Sequence, residues 1–250
     1  MAHGMLPRAS SSDETPSVDG SLSAGGIKRY AEAAMSQTRW PEPTPNLKRV
    51  AGRLEAAVDL NDRGIADTPR PAYPLAALLL GSAADGADAD AVTVAAAIEL
   101  IDTAVIEHYY QCSRPIGERL LAGDYRYALG MGLVAELRRG ELVAALARAT
   151  SDIARGHATQ TGDERVGLRS SLWPAAVELA ALLSRARPDE ARLRWAGVIG
   201  GGREAVLMEL DGACPNLGRL VASLPTVFES GVPSADLTYL AQVMEVWATP

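Results

Sequence analysis

His108, Tyr109 and Tyr110 stand in a row at the end of the apolar run "AAAIELIDTAVIEHYY", and they are the residues whose types first invite a chemical reading. An imidazole beside two phenols could move a proton. A histidine at the end of an apolar helix is nevertheless more often a buried, hydrogen-bonded side chain than a base. The phenols are poor partners for magnesium, because they stay protonated at neutral pH. His157 follows "SDIARG" at a predicted helix end, where an imidazole can meet unpaired carbonyls and the helix dipole. Arg138 and Arg139 read as the cationic end of another helix for the same reason.

The remaining candidates are weaker. Ser170 and Ser171 have no G-x-S-x-G around them and no acid or histidine beside them, so no nucleophilic role follows. "GGGRE", Gly200 to Glu204, lacks the spacing of either nucleotide fingerprint and lies in a helical pattern, which predicts close helix packing or a kink. Cys112 and Cys214 are the only two cysteines, far apart and without zinc spacing, and they read as free thiols of a reducing cytoplasm.

The elements that must position these residues are helices. Ala and Leu dominate a chain of 250 residues with a single Phe, and alternating, strand-like stretches are lacking. The net charge of −7 offers no basic field to nucleic acid or to an anionic membrane. No apolar run reaches the roughly 18 to 20 residues that span a bilayer, which predicts a cytoplasmic protein. The opening Ser/Gly/Asp-rich stretch lacks the pattern of a secretory signal and reads as a disordered tail over residues 1–40, with one helical domain over 41–250.

Apolar spacings and breakers predict helices over Leu47–Leu60, from Pro74 to near Gly81, Ala89–Tyr110, Glu118–Leu137, Leu142–Gly156, Ser170–Ser184, Asp189–Leu210, Leu217–Leu224 and Ala235–Trp247. A shorter helix could form over "GIKRYAEAAMSQTRW" before "PEPTP" breaks it. The expected architecture is all-α, a single bundle of about eight to ten helices.

Several landmarks occur in an order that resembles the trans-isoprenyl diphosphate synthase, or polyprenyl synthetase, family between Leu47 and Arg219. "RPAYPLAALLLG" is similar to that family's Arg-Pro helix start. "AAAIELIDTAVIEH" resembles the helix that delivers its first aspartate-rich motif, and "GERLLAGDYRYALGMGLVAEL" the helix after it. "SDIARGHATQT" and the long stretch from "SSLWPAAVELA" to "VLMELDG" resemble the second half. The resemblance implies a trans-prenyltransferase bundle, in which two aspartate clusters hold magnesium around an allylic diphosphate.

The chemistry the resemblance implies is missing from this chain. Tyr109 and Tyr110 stand where the first cluster would begin. Only Glu209 and Asp211 stand near the second, and a spacing of two sets them about 200° apart around a helix. Asp67 falls where the family carries a cation, which leaves Arg70 as a residual phosphate contact; Arg114 is its counterpart in the shortened "QCSRPIG". "LRSS", with Arg169, replaces a Lys-Thr pair, and His157 replaces a Gln. The apolar periodicity between these points is intact.

The reading that follows from the resemblance is a catalytically silent subunit of a heteromeric prenyl diphosphate synthase. It would need no cofactor, with magnesium in an active homologous partner, and it would stabilise that partner or tune its product length. Family dimers meet largely through the helix represented here by Gly117 to Leu137. Leu121, Tyr125 and Leu129, spaced i, i+4, i+8, would form one stripe of that contact. A homodimer is the other assembly. The second reading is an isoprenoid binder or terpene cyclase-like protein, with Tyr109 and Tyr110 lining a chain channel; ordinary packing is the commoner role of such aromatics.

Overall fold

In the computed structural model the described residues are 41–58, 73–83, 88–110, 115–159, 167–207 and 234–248. All lie within one of two contact-defined units, Arg39–Pro250, the other being Met1–Thr38. The predicted helices over 26–40 and 217–224 lie outside the described residues, as do Arg70, Arg114, Glu209, Asp211, Cys112 and Cys214.

Eight α-helices make up the described part: α1 (Pro45–Ala57), α2 (Pro74–Ser82), α3 (Ala89–Tyr109), α4 (Ile116–Glu136), α5 (Gly140–Ala158), α6 (Leu172–Leu183), α7 (Glu190–Leu207) and α8 (Ala235–Ala248). Their starts have local causes. Thr44 caps α1 by accepting from the Leu47 amide at 3.2 Å, with Pro45 in the first turn. Asp88 caps α3 by accepting from the Ala91 amide at 2.7 Å. Pro74 opens α2.

α2 is apolar all round and buried from Pro74 through Gly81, as a short central helix must be. It packs against α1, α3, α6 and α8. α3 is buried along most of its length and touches α1, α2, α4 and α6, with its most extensive contact on α4. That contact is close because α4 presents glycines to it. A Cβ at Gly130 would lie 2.8 Å from Ile101 Cγ1 and 2.9 Å from the Ala97 carbonyl, and one at Gly123 would strike the His108 ring at 2.3 Å. Two α3 side chains thus sit in notches seven residues apart on α4.

Arg138 and Arg139 depart from the sequence expectation. α4 ends at Glu136, and both arginines lie in the turn beyond it. Arg138 takes a left-handed backbone conformation (φ 54°), while Arg139 donates to the Leu182 carbonyl at 2.6 Å. They shape the turn into α5 and tie it to the end of α6. At Gly200 the expectation of close packing is met: an added Cβ would lie 2.5 Å from the Trp173 ring.

Candidate functional site

The end of α3 and the middle of α7 face one another through polar side chains. Asp102 is one of three buried acids, with Glu99 and Glu107, on a mostly apolar helix, and such a residue is buried only with a partner. Arg203 supplies it with a two-pronged contact, its Nη1 donating to Oδ1 at 2.9 Å and its Nη2 to Oδ2 at 2.6 Å. Both side chains are largely buried. The next residue on α7, Glu204, accepts a hydrogen bond from the Tyr110 hydroxyl. Adjacent residues of α7 therefore hold α3 at two levels.

Charge balance in this cluster is internal. The Arg203 guanidinium is stabilised in its charged form by Asp102, Glu204 and Glu99, against the cost of burial. Burial pushes the Glu204 carboxyl above its ordinary range, and the Tyr110 bond, Arg203 and Arg169 only partly offset this. Burial and the bond to Glu204 also push the Tyr110 phenol upward. Glu99 accepts from the Ala76 amide at 2.9 Å, which fastens α3 to the start of α2. Farther along α3, Glu107 and Arg126 form a second buried pair at 2.7 Å, between α3 and α4.

The magnesium that this fold implies does not suit the described residues. Both Asp102 oxygens are taken by Arg203, Glu204 is bonded to a phenol and biased toward its neutral form, and Tyr110 is held protonated. Among the described residues no group of three or more His, Cys, Asp and Glu side chains is arranged to hold a metal ion.

Tyr109 and Tyr110 differ in exposure but meet the same imidazole. Tyr110 is buried, while Tyr109 is 41 % exposed and stacks on His157 with centroids 3.7 Å apart and planes 3° apart. Tyr110 meets the same imidazole edge-on at 5.6 Å. His108 is hydrogen-bonded but half-buried rather than buried as the sequence predicts, with Nε2 3.3 Å from the Leu120 carbonyl and 3.3 Å from Asp124 Oδ1.

On the opposite side of α4, Leu121 is 72 % exposed, and Tyr125 and Leu129 are half-buried along the same side. Tyr125 and Leu129 also line a groove of about 410 Å³ between α1 and α4, together with Ala56, Ala57, Ala128 and the buried Leu133. Arg53 and Glu136 pair across its rim at 2.9 Å. Ile116 and Leu120 are also exposed near the start of α4, but on the other side of the helix from Tyr125 and Leu129.

Asp102, Arg203 and Glu204 were not singled out as site residues by sequence reasoning. The signal was present in part: acids inside the mostly apolar "IELIDTAVIEH" need buried partners, and "GGGRE" offers a cation. Their pairing across about a hundred residues of sequence is a tertiary fact.

The bundle has the fold of solved trans-prenyl diphosphate synthases. Decaprenyl diphosphate synthase from Rhodobacter capsulatus matches 89 % of this chain and 85 % of its own, with 17 % identity and a TM-score of 0.55. Polyprenyl synthase from Caulobacter crescentus, solved with calcium and isoprenyl diphosphate, matches 89 % of this chain and 97 % of its own at 17 % identity and TM-score 0.53. Heptaprenyl diphosphate synthase from Staphylococcus aureus matches 80 % and 83 % at 18 % identity and TM-score 0.51. The chain has the all-α isoprenoid synthase fold. No family model matches it, and no curated protein matches it. Among the described residues no helix is long and apolar enough to cross a membrane.

Proposed function

We propose that this chain is a catalytically silent subunit of a heteromeric trans-prenyl diphosphate synthase, acting in the cytoplasm to stabilise an active homologous partner or to tune its product length. The observation that carries the reading is the stripe along α4 on which Leu121 is exposed and Tyr125 and Leu129 are half-buried. Large apolar side chains left facing solvent along one helix stripe mark a contact surface. The self-neutralised interior supports the same reading: Asp102 and Glu204 are engaged with the chain's own side chains. Magnesium is expected in the partner, a prenyl diphosphate synthase whose aspartate clusters are intact.

The test is co-expression with such a synthase, followed by sedimentation of the mixture and of each chain alone. A complex in which the partner is more stable, or its product altered in length, is the expected result. The pure chain should not condense isopentenyl diphosphate with an allylic diphosphate, and magnesium-dependent turnover by it would overturn the proposal. Magnesium-dependent diphosphate binding without assembly would favour a terpene cyclase-like protein, and binding of an apolar isoprenoid alone would favour a carrier. Self-association that excludes the synthase would assign the α4 face to a homodimer.

A further inference from the structure

The start of α4 combines three features that together make it vulnerable to fraying. Its N-cap, Pro115, makes no side-chain capping hydrogen bond. The first turns are exposed to solvent from Ile116 to Glu118, with Leu120 and Leu121 exposed beyond them. The apolar side chains here, Ile116 at 67 % and Leu121 at 72 % exposure, gain little from packing on the bundle. An uncapped, unburied helix end is the kind of segment that opens locally at small free-energy cost.

Two contacts from the last turn of α3 oppose this. Arg119 Nη1 donates to the carbonyl of Tyr110 at 2.6 Å, a charge-assisted bond to the C-cap residue of α3. His108 Nε2 reaches the Leu120 carbonyl at 3.3 Å and faces Asp124 Oδ1 at the same distance, in the notch that Gly123 leaves open. Tyr110 is in turn anchored through its hydroxyl to Glu204 on α7. The first turns of α4 are thus tied through α3 to the buried polar cluster.

We infer that Arg119 and His108 are positioning residues, a clasp that keeps the first turns of α4 helical and so determines whether the exposed apolar surface is formed. The inference rests on the proposed docking role only for its biological consequence; the clasp itself is a property of the isolated chain. It also gives "EHYY" a task in place of catalysis, that of fastening α3 to a neighbouring helix.

Amide hydrogen exchange of the full chain, read for 116–121 and for α5 as an internal control, tests it. Arg119→Gln should raise exchange in 116–121 by about tenfold, the size expected for losing a hydrogen bond from a charged donor, His108→Ala should raise it by a few-fold, and both should leave α5 unchanged. Arg53→Ala, which removes only the pair with Glu136 at the other end of α4, should leave 116–121 as it is. Unchanged exchange in 116–121 for both clasp variants overturns the inference, as does a rise that includes α5 equally, since that would mean a general structural role. Sedimentation with a prenyl synthase partner separates the two claims. Faster local exchange with weakened assembly supports clasp and docking together, and faster exchange with unaltered assembly supports the clasp and refutes docking through this end of α4.

Discussion

Removing either partner of the Asp102–Arg203 pair should cost far more than removing both. The pair makes two hydrogen bonds of 2.9 and 2.6 Å, and its side chains are 8 % and 13 % exposed. In such surroundings a charge left alone keeps its full desolvation penalty, so Asp102→Leu or Arg203→Met alone should destabilise the fold by about 3–5 kcal/mol. The double variant removes both penalties and substitutes apolar volume. It should come within about 1–2 kcal/mol of wild type, on either side. Arg203 also balances Glu204 and Glu99, so Arg203→Met should be the worse of the two single changes. Urea unfolding followed by circular dichroism gives all four stabilities, and the cycle yields a coupling energy of several kcal/mol if the reasoning is right. Near-additive effects, or single variants costing under about 1 kcal/mol, would show that water rather than the partner solvates these charges, and the idea of a self-neutralised interior would fall.

Other expectations follow from the same geometry. Burial raises the Glu204 carboxyl pKa, so the folded state holds this proton more tightly than the unfolded chain and Glu204 weakens stability increasingly as pH rises from its ordinary value through the raised one. Glu204→Gln keeps an acceptor for Tyr110 but cannot ionise; its stability relative to wild type should grow from acidic to neutral pH, and the opposite trend in urea midpoints would show that Arg203 and Arg169 outweigh burial. Gly130→Ala should destabilise by about 1–3 kcal/mol, because the new methyl meets the fixed Ala97 carbonyl, whereas Gly132→Ala meets nothing within 4 Å and should gain up to about 1 kcal/mol from helix propensity; equal thermal shifts for the two would refute the notch. At the end of α6, Arg185 takes φ 51° while its amide bonds the Leu182 carbonyl and that of Ala186 bonds the Ala181 carbonyl, a Schellman turn that favours glycine. Arg185→Gly should therefore raise stability by about 1 kcal/mol in thermal melts. Tyr125→Glu should weaken association with an active synthase at least tenfold while helicity is retained, given about 1.5–3 kcal/mol for each such side chain buried; intact assembly would remove Tyr125 from the contact.

The helices were legible in the sequence because their causes are local. Pro74, the apolar spacing from Ala89 to Tyr110 and the breaker before Ile116 act within a few residues, and predicted and observed bounds there differ by about a turn or less. Where prediction slipped, as at Arg138 and Arg139, the cause lay in a turn whose carbonyl partner, Leu182, is on a different helix. The landmark order pointed to the isoprenoid synthase fold, since apolar periodicity and small residues at close approaches survive when polar residues change. Gly123 and Gly130 illustrate the boundary: composition marks them as small, but only the packed bundle shows that His108 and Ile101 occupy the space.

What the sequence determined, then, was the set of helices and the polar residues they carry. What only the tertiary structure decided was how those polar residues are used. Tyr109 and Tyr110 are neighbours in sequence, yet a helix end turns one outward onto His157 and the other inward onto Glu204. Asp102 finds Arg203 across 101 positions of sequence. Such pairings depend on the separation and rotation of α3 and α7, which are set by the sum of many apolar contacts, both helices against α6 and α3 also against α2. No local pattern encodes that sum, so the charge balance of the interior and the exposed side of α4 emerge only once the bundle is packed.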